Sequence, residues 1–472
     1  MGIVGAYALP HPPLAIPDVG RGQEEGIAST IAGYRAVAEH IAALEPETIV
    51  VISPHSIMYA DYLHISPGMY AAGDMGRFGA PQVRVEKDYD VGLVRAIVER
   101  AQRGGIMAGT EGERDASLDH GVLVPLYFVD EKYRDYQLVR CGISGLPLLD
   151  HYRLGECIAD AAEELGRRVA IIASGDLSHK LREEGPYGFD PAGPEYDERI
   201  EHVLATGDFG DLFDFGEALC DDAAECGHRS FVVMAGALDG RTVKASLLSH
   251  EGPFGVGYAT AILEPGGDDS SRCFAHAYLE REQNRLAQMR ENESPYVKIA
   301  RLSLEGNILG TSQQELRRSI FDALISADPE VSDHLLKSRA GAFVSIHEHG
   351  RLRGCIGTIA PTQPTLADEI VENAVSASTR DPRFEPIAPD ELPDLEINVD
   401  VLGESEAIDG LDELDPKRYG VIVTAGGRRG LLLPDLEGID TPEEQVEIAL
   451  RKAGIKPSEF FEMERFEVTR FH

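Results

Sequence analysis

The sequence predicts an α/β protein built as two successive domains, and three observations carry that expectation. Short β-branched runs alternate with segments of helical period through the first half; a polar, turn-rich stretch interrupts the alternation near residue 265; and a second, self-contained set of helices and strands follows. At 472 residues the chain is also too long for one ordinary core.

The first strand is "GIVGAYAL", closed by Pro10, with His11 directly after it. "EEGIASTIAGYRAVAEHIAAL" spaces its apolar residues as a helix does, and "TIVVIS" (Thr48 to Ser53), bounded by "EPE" and Pro54, reads as a buried parallel strand ending at His55. Together they predict a βαβ unit. Ligands of open α/β sheets collect beyond the carboxyl ends of strands, where both histidines stand. A lone histidine in such a place is usually a satisfied surface or core residue; two in matching contexts point to a site.

Further along, "ASLDHGVLVPLYFV" carries Asp119 and His120 just before a buried run. "RRVAIIASGDLSHKL" is a strand ending at Ser174, Gly175 and Asp176, with His179 three residues on. "DDAAECGHRSFVVMAGALDG" sets Glu225, Cys226 and His228 ahead of a buried helix. The first domain spans 1–265. "GGDDSSR" and the charged, partly helical "CFAHAYLEREQNRLAQMRENESP" give 266–293 the composition of a linker. From residue 294 to 472 come helices "SPYVKIARLSLEGNIL" and "SQQELRRSIFDAL", strands in "AGAFVSIHEHGRLRGCIGT" and "LEINVDVLG", and a last helix "TPEEQVEIALRKAG". No internal repeat links the halves.

Lys plus Arg number 44 against 81 Asp plus Glu, a formal charge of −37. Such a surface repels a polyanion, so no nucleic-acid partner is expected. No apolar run approaches the ~20 residues that span a bilayer and no leader precedes the first strand. The expectation is a soluble, cytoplasmic protein with no membrane partner. The 6 cysteines show no CxxC pair or framework spacing and read as free thiols.

Two neutral imidazoles plus one carboxylate, with coordination positions left open, make the facial triad of non-haem Fe(II) oxygenases. His11, His55 and Glu225 would satisfy it, with His120 and His179 as candidates to take and return a substrate proton. Each has a plainer reading: His120 as a helix-start residue, Asp176 as a turn cap, Glu225 as a first-turn carboxylate favoured by the helix dipole. Cys226, beside Glu225, is an equally good third ligand and favours a softer or closed site.

"LPHPP", "ISPHS", "LDHGVLVPL", "GDLSHKL" and "ECGHRSFVVMAGAL" together resemble the class III extradiol ring-cleavage dioxygenase family (the LigB-like fold), to which the Memo-like proteins are related. The resemblance implies a central sheet and a non-haem Fe(II) held by two histidines and a glutamate, here His11, His55 and Glu225. It also implies acid/base histidines at His120 and His179; Asp176, at the end of its strand, is a further catalytic candidate read from its position alone. In the Memo-like branch a cysteine stands where the dioxygenases have glutamate, and "EC" offers both.

In the remainder, "LRGCIG" reads as a strand whose Gly354 and Gly357 let other backbone approach Cys355, and "SASTRDPRFEPI" as a surface loop. Cys355 is either a small buried hydrophobe or a thiol in an arginine-flanked groove. "LRGCIGT", the "A..D.RF.P" pattern and "YGV.V...GRRGLLLP" resemble the AMMECR-type domain, an α/β fold of two unequal subdomains. The resemblance implies membership of the AmmeMemoRadiSam grouping, with a radical-SAM protein of the same system as partner; a homo-oligomer is compatible with it. Arg351, Arg353, Arg380 and Arg383, with Asp381 among them, either form a positive surface near Cys355 that holds an anionic ligand for the first domain or simply pair with neighbouring Asp and Glu.

The leading expectation is therefore an Fe(II)-dependent extradiol-type dioxygenase acting on a small catechol-like molecule. A zinc-dependent hydrolase and a Memo-like metal-binding scaffold without turnover are the alternatives.

Overall fold

The computed structural model describes residues 2–436 and 438–472. The chain divides into two units, Met1–Arg281 and Glu282–His472. The strands of the first unit are β1 (Gly2–Leu9), β2 (Thr48–Ser53), β3 (Leu63–His64), β4 (Tyr70–Met75), β5 (Ala80–Asp88), β6 (Ala108–Gly109), β7 (Gln137–Gly142), β8 (Arg168–Ser174), β9 (Arg241–Glu251) and β10 (Tyr258–Asp268). Its helices are the one-turn α1 (Pro17–Gly20), α2 (Ala28–Leu44), α3 (Val91–Arg103), α4 (His120–Asp130), α5 (Leu148–Glu164), α6 (Ala192–Thr206), α7 (Glu217–Ala223) and α8 (His228–Gly236).

The main sheet is six-stranded, in the order β7-β2-β8-β1-β10-β9. β7, β2, β8 and β1 run parallel, and β10 and β9 close one edge antiparallel. β2 is buried along its whole length because both faces are covered. Val50 and Ile52 pack with Leu93 and Ile97 of α3 and with Leu154 and Ile158 of α5. Ile49 and Val51 pack with Tyr34 and Val37 of α2 and with Leu123 and Leu126 of α4.

β1, α2 and β2 follow one another as the hydrophobic period predicts, but β1 and β2 are not neighbours: β8 lies between them and pairs with both. The register aligns Leu9 with Ser174 and Ile52 with Ala173, so the segments that leave β1, β2 and β8 emerge at one level. His11, His55 and Asp176 each stand two residues beyond their strand. Between β2 and β7 the chain makes an excursion: β3 pairs with β6, and β4 and β5 form a hairpin whose tip is a 3-10 turn over Gly76–Phe78.

The 266–293 segment carries more structure than its linker composition suggests. β10 continues to Asp268, and helix α9 (Phe274–Asn292) contains the point where the two units divide. Few residues of α9 are apolar, but Ala275 and Leu286 are buried, so the helix uses what it has.

The second unit contains α10 (Pro295–Ile308), α11 (Gln313–Ser326), α12 (Pro329–Lys337), α13 (Leu366–Thr379) and α14 (Pro442–Ala453), with β11 (Ala342–Glu348), β12 (Arg351–Gly357), β13 (Leu395–Leu402), β14 (Glu406–Ile408), β15 (Tyr419–Ala425), β16 (Arg428–Leu432) and β17 (Glu462–Phe471). The sheet order is β12-β11-β13-β17-β15-β16, with β14 also on β17. A larger core lies between α10, α13 and the β11–β13 end, and a smaller one under α14 at the β15–β16 end. No helix among the described residues is long and apolar enough to cross a membrane.

Candidate metal centre

His11 leaves β1 through Pro10, whose carbonyl accepts a hydrogen bond from Tyr34 Oη at 2.6 Å. Its backbone N–H donates to Asp176 Oδ1 at 2.7 Å, which ties the end of β1 to the end of β8. The tautomer of its ring follows from its neighbours. Ser174 Oγ donates its one proton to the Gly121 carbonyl at 2.6 Å, and the same oxygen stands 2.9 Å from His11 Nδ1. It must accept there, so His11 is protonated on Nδ1 and its Nε2 lone pair is directed into the site.

His55 follows β2 and Pro54. Its N–H donates to Ser53 Oγ at 3.2 Å, and Ser53 in turn donates to Asp119 Oδ1 at 2.5 Å. His55 Nε2 and His11 Nε2 lie 2.9 Å apart. Cys226 Sγ is 3.5 Å from His11 Nε2 and accepts the Asp176 N–H at 3.3 Å. One donor atom each from His11, His55 and Cys226 falls within 4.8 Å of the others.

These donors suit a metal ion. Nitrogens 2.9 Å apart lie within the span that two ligands reach when each is ~2.0–2.1 Å from one ion. Burial lowers the His11 pKa well below its usual value, and the nearby His55, His120 and His179 add to this. His55 shows one face to solvent, yet the protein packed around the rest of it still lowers its pKa, against a smaller upward pull from Asp119. Both imidazoles are therefore neutral, as ligation requires. Burial raises the Cys226 thiol well above its usual value, with Asp176 and Glu225 adding to it. A bound cation would oppose that shift and favour the thiolate. Three protein donors leave coordination positions open, as catalytic sites do and closed structural ones do not.

Glu225, expected as the third ligand, does not join this group. Its Oε2 accepts the His228 N–H at 2.6 Å at the start of α8 and lies 3.5 Å from Tyr196 Oη. Consecutive residues in this loop face opposite ways: after Ala224, at φ +52°, Glu225 turns to the helix terminus and Cys226 to the histidines. Desolvation raises Glu225 to about 7, opposed by the His228 N–H. Its geometry is that of a carboxylate capping the first turn of a helix.

The proposed acid/base groups flank the donors. His120 stacks on His55 with ring centres 4.1 Å apart, and burial followed by His55 lowers its pKa to about 4. His179 Nδ1 stands 2.6 Å from the Ala224 carbonyl, an acceptor only, so its proton is on Nδ1 and Nε2 is the acceptor. Asp176 differs from expectation. Burial raises it to about 7, but its bond to the His11 backbone makes it a positioning group for the ligand loop.

A cavity of about 670 Å³ reaches this cluster at His55 and His120. Sequence reading did not assign a role to Asp119, Arg77, Phe78 and Arg114, which also line it. Asp119 Oδ2 is buried without a hydrogen-bond partner among the described residues. Its place before His120 was the available signal. Arg77 and Phe78 come from the β4–β5 tip, "MGRFG", which gives no sequence hint of its destination.

In the second unit the expected cationic surface is neutralised locally. Arg353 pairs with Glu391 at 2.6 Å, Arg380 with Glu372 at 2.9 Å, and Arg383 with Asp381 at 2.7 Å. Asp381 also accepts the Cys355 N–H at 2.9 Å, and its hydrogen bonds with Arg383 hold its pKa well below the usual carboxylate range. Arg353, Asp381 and Arg383 thus brace the Cys355 strand and loop, Arg380 pairs with Glu372 of α13, and the anion-holding role loses its basis.

Residues 5–261 match the family described as the catalytic LigB subunit of aromatic ring-opening dioxygenase, and residues 297–472 match the AMMECR1 family. A Clostridium acetobutylicum protein, CA_C1420, is 40% identical over 478 residues, spanning 100% of this chain and 99% of the relative. A Thermotoga maritima protein is 49% identical over 181 residues, 38% of this chain and 98% of the relative. The crystal structure of an uncharacterized Pyrococcus horikoshii protein, PH0010, is 27% identical, covers 37% of this chain and 88% of that chain, and has a TM-score of 0.32.

Proposed function

The chain belongs to the family of the catalytic LigB subunit of aromatic ring-opening dioxygenase over its first domain and to the AMMECR1 family over its second, and on that premise we propose that the first domain is an iron(II)-dependent extradiol-type dioxygenase of a small catechol-like substrate. Cys226 takes the ligand place expected for Glu225. The observation that carries the reading is the three-donor cluster, whose His55 lines a cavity of about 670 Å³ together with His120, and whose two histidines both feel the charge of nearby His179.

Iron(II) bound there would supply adjacent positions for O₂ and for the two oxygens of a diol. The chain's own residues supply the rest. His179 Nε2 is the base that accepts a hydroxyl proton, since Nδ1–H is held by the Ala224 carbonyl. His120, neutral at pH 7 and stacked on His55, forms the opposite wall. Ser174 and Asp176 keep His11 in its tautomer and place.

One observation favours a second reading. Cys226 gives the site a soft donor that holds zinc readily, and a zinc-dependent hydrolase would use the same open cluster. Anaerobic purification with metal analysis, then O₂ uptake and ring-fission absorbance over a catechol panel, separates the two. Iron with O₂ consumption is the expected result. Zinc with ester or amide hydrolysis and no O₂ uptake would replace it.

A further inference from the structure

Helix α11 leaves its apolar surface unfinished. Leu316 lies against Gly306 of α10, Ile320 and Ala323 pack on the larger core of the second unit, and Leu324 is the one buried residue of the helix. Phe321 and Ile325 are 58% and 61% exposed and join none of these contacts. They are not scattered. Gln314, Arg318, Phe321 and Ile325 recur at steps of four, three and four residues, which makes one stripe along an α-helix, and Arg317 borders it. α10 and α12 both pack against α11 and expose Leu309 and Leu336 in turn. Single exposed apolar residues are ordinary, whereas an ordered apolar stripe with a polar rim marks an interaction face.

The charges beside the stripe identify its occupant. The chain carries −37 overall, so two copies repel one another over most of their surface. Residues 311–326 are an exception, because Glu315 and Asp322 balance Arg317 and Arg318. The charge is also ordered along the helix: both arginines precede Phe321, and Asp328 and Glu330 follow the last turn. Arg317, Asp328 and Glu330 have no ion-pair partner among the described residues, and Arg318 meets only Asp322, at 3.9 Å. These positions complement themselves. Phe321 with Ile325, and Arg318 with Asp328, are each symmetric about position 323, so a second α11 crossing antiparallel there sets its Ile325 against Phe321 and its Asp328 beside Arg318.

We propose that α11 is a self-association face, on which a second copy of this chain packs its own α11 antiparallel across a two-fold axis. An isologous contact of this kind makes every interaction twice, here an apolar centre of Phe321 and Ile325 and a rim of Arg318 and Asp328. One sequence supplies both halves of the fit. The inference is independent of the metal-site reading.

Sedimentation of the full chain over roughly 1–100 µM protein tests it, and a reversible dimer is expected. Phe321→Glu should weaken that dimer by more than about tenfold, as the loss of an aromatic anchor does, and leave the melting temperature of the monomer unchanged. Arg318→Asp and Asp328→Arg should each weaken it about two- to thirtyfold, because each removes two exposed ion pairs. A mixture of these two variants should dimerise again, since each then faces its opposite charge. Flotation with phosphatidylcholine vesicles is the companion measurement, and no binding is expected. A monomer throughout the concentration range, a dimer that Phe321→Glu leaves intact, a mixture of the charge variants that does not recover, or Phe321-dependent vesicle binding by the monomer would each overturn the proposal.

Discussion

Gly175 and Gly227 meet backbone to backbone: a Cβ on Gly175 would stand 2.1 Å from the Cα of Gly227. This contact seats the Cys226 loop against the end of β8, where the Asp176 N–H reaches Cys226 Sγ at 3.3 Å. Gly175→Ala must push that loop away, with an overpacking cost of about 1–3 kcal/mol or more. Metal content should fall and the melting temperature should drop. Gly216→Ala, where an added Cβ meets nothing within 4 Å, is the control expected to retain both. Full metal loading in Gly175→Ala would show that the loop does not depend on this approach.

Removing ligands should separate the two neighbours in "EC". Cys226→Ser should lower metal stoichiometry sharply, and His11→Ala should abolish it without unfolding the domain. Glu225→Gln should leave metal content intact, because its amide oxygen can still accept the His228 N–H. Glu225→Ala should cost about 1 kcal/mol through the lost cap, read by denaturant melts. Metal loss in Glu225→Gln with retention in Cys226→Ser would reverse the ligand assignment.

Ser174→Ala tests the tautomer. Without the acceptor for Nδ1–H, the His11 ring loses its set orientation. Partners of this kind commonly contribute roughly 10–100-fold in metal affinity, so a chelator competition should show a loss in that range. An unchanged affinity would mean that packing alone orients His11.

A pH effect is expected away from the site. Burial, with Asp239 adding to it, raises Glu156 to about 7. A carboxyl whose folded pKa is raised favours folding while protonated. Its benefit is full below the unfolded value of about 4.3 and is lost as pH rises towards 7. Glu156→Gln should therefore raise stability at pH 8 and change little at pH 4. Thermal melts at the two pH values would show the difference, and an equal shift at both would count against it.

In the second unit, Arg301 and Glu293 are each 9% exposed and joined at 2.7 Å, with Arg301 also donating to the Leu395 carbonyl at 3.0 Å. Arg301→Met leaves a buried carboxylate unpaired, at a cost of about 3–5 kcal/mol. Adding Glu293→Gln should recover much of it. Denaturant titration of both variants would reveal this coupling, and no recovery in the double variant would argue that the loss is packing alone.

The strands around the site were legible because their chemistry is local. "TIVVIS" can bury both faces only within a covered parallel sheet, and it is β2 over the residues expected. Pro10 and Pro54 end such runs, which put His11 and His55 at strand ends before any contact was known. Strand order was not legible, since β8 enters between β1 and β2 from more than a hundred residues away. The choice between Glu225 and Cys226 depended on a left-handed Ala224 and on Gly227 meeting a glycine of another strand, neither of which leaves a pattern within "ECGH". The same holds for charge. Whether an arginine is free or paired depends on which carboxylate the fold brings to it: Glu391 reaches Arg353 across 38 positions, while Arg77 is carried by a hairpin into the cavity with no such partner among the described residues. Side-chain period and strand ends are set by neighbours in sequence; ligand identity and cavity charge are set by neighbours in space.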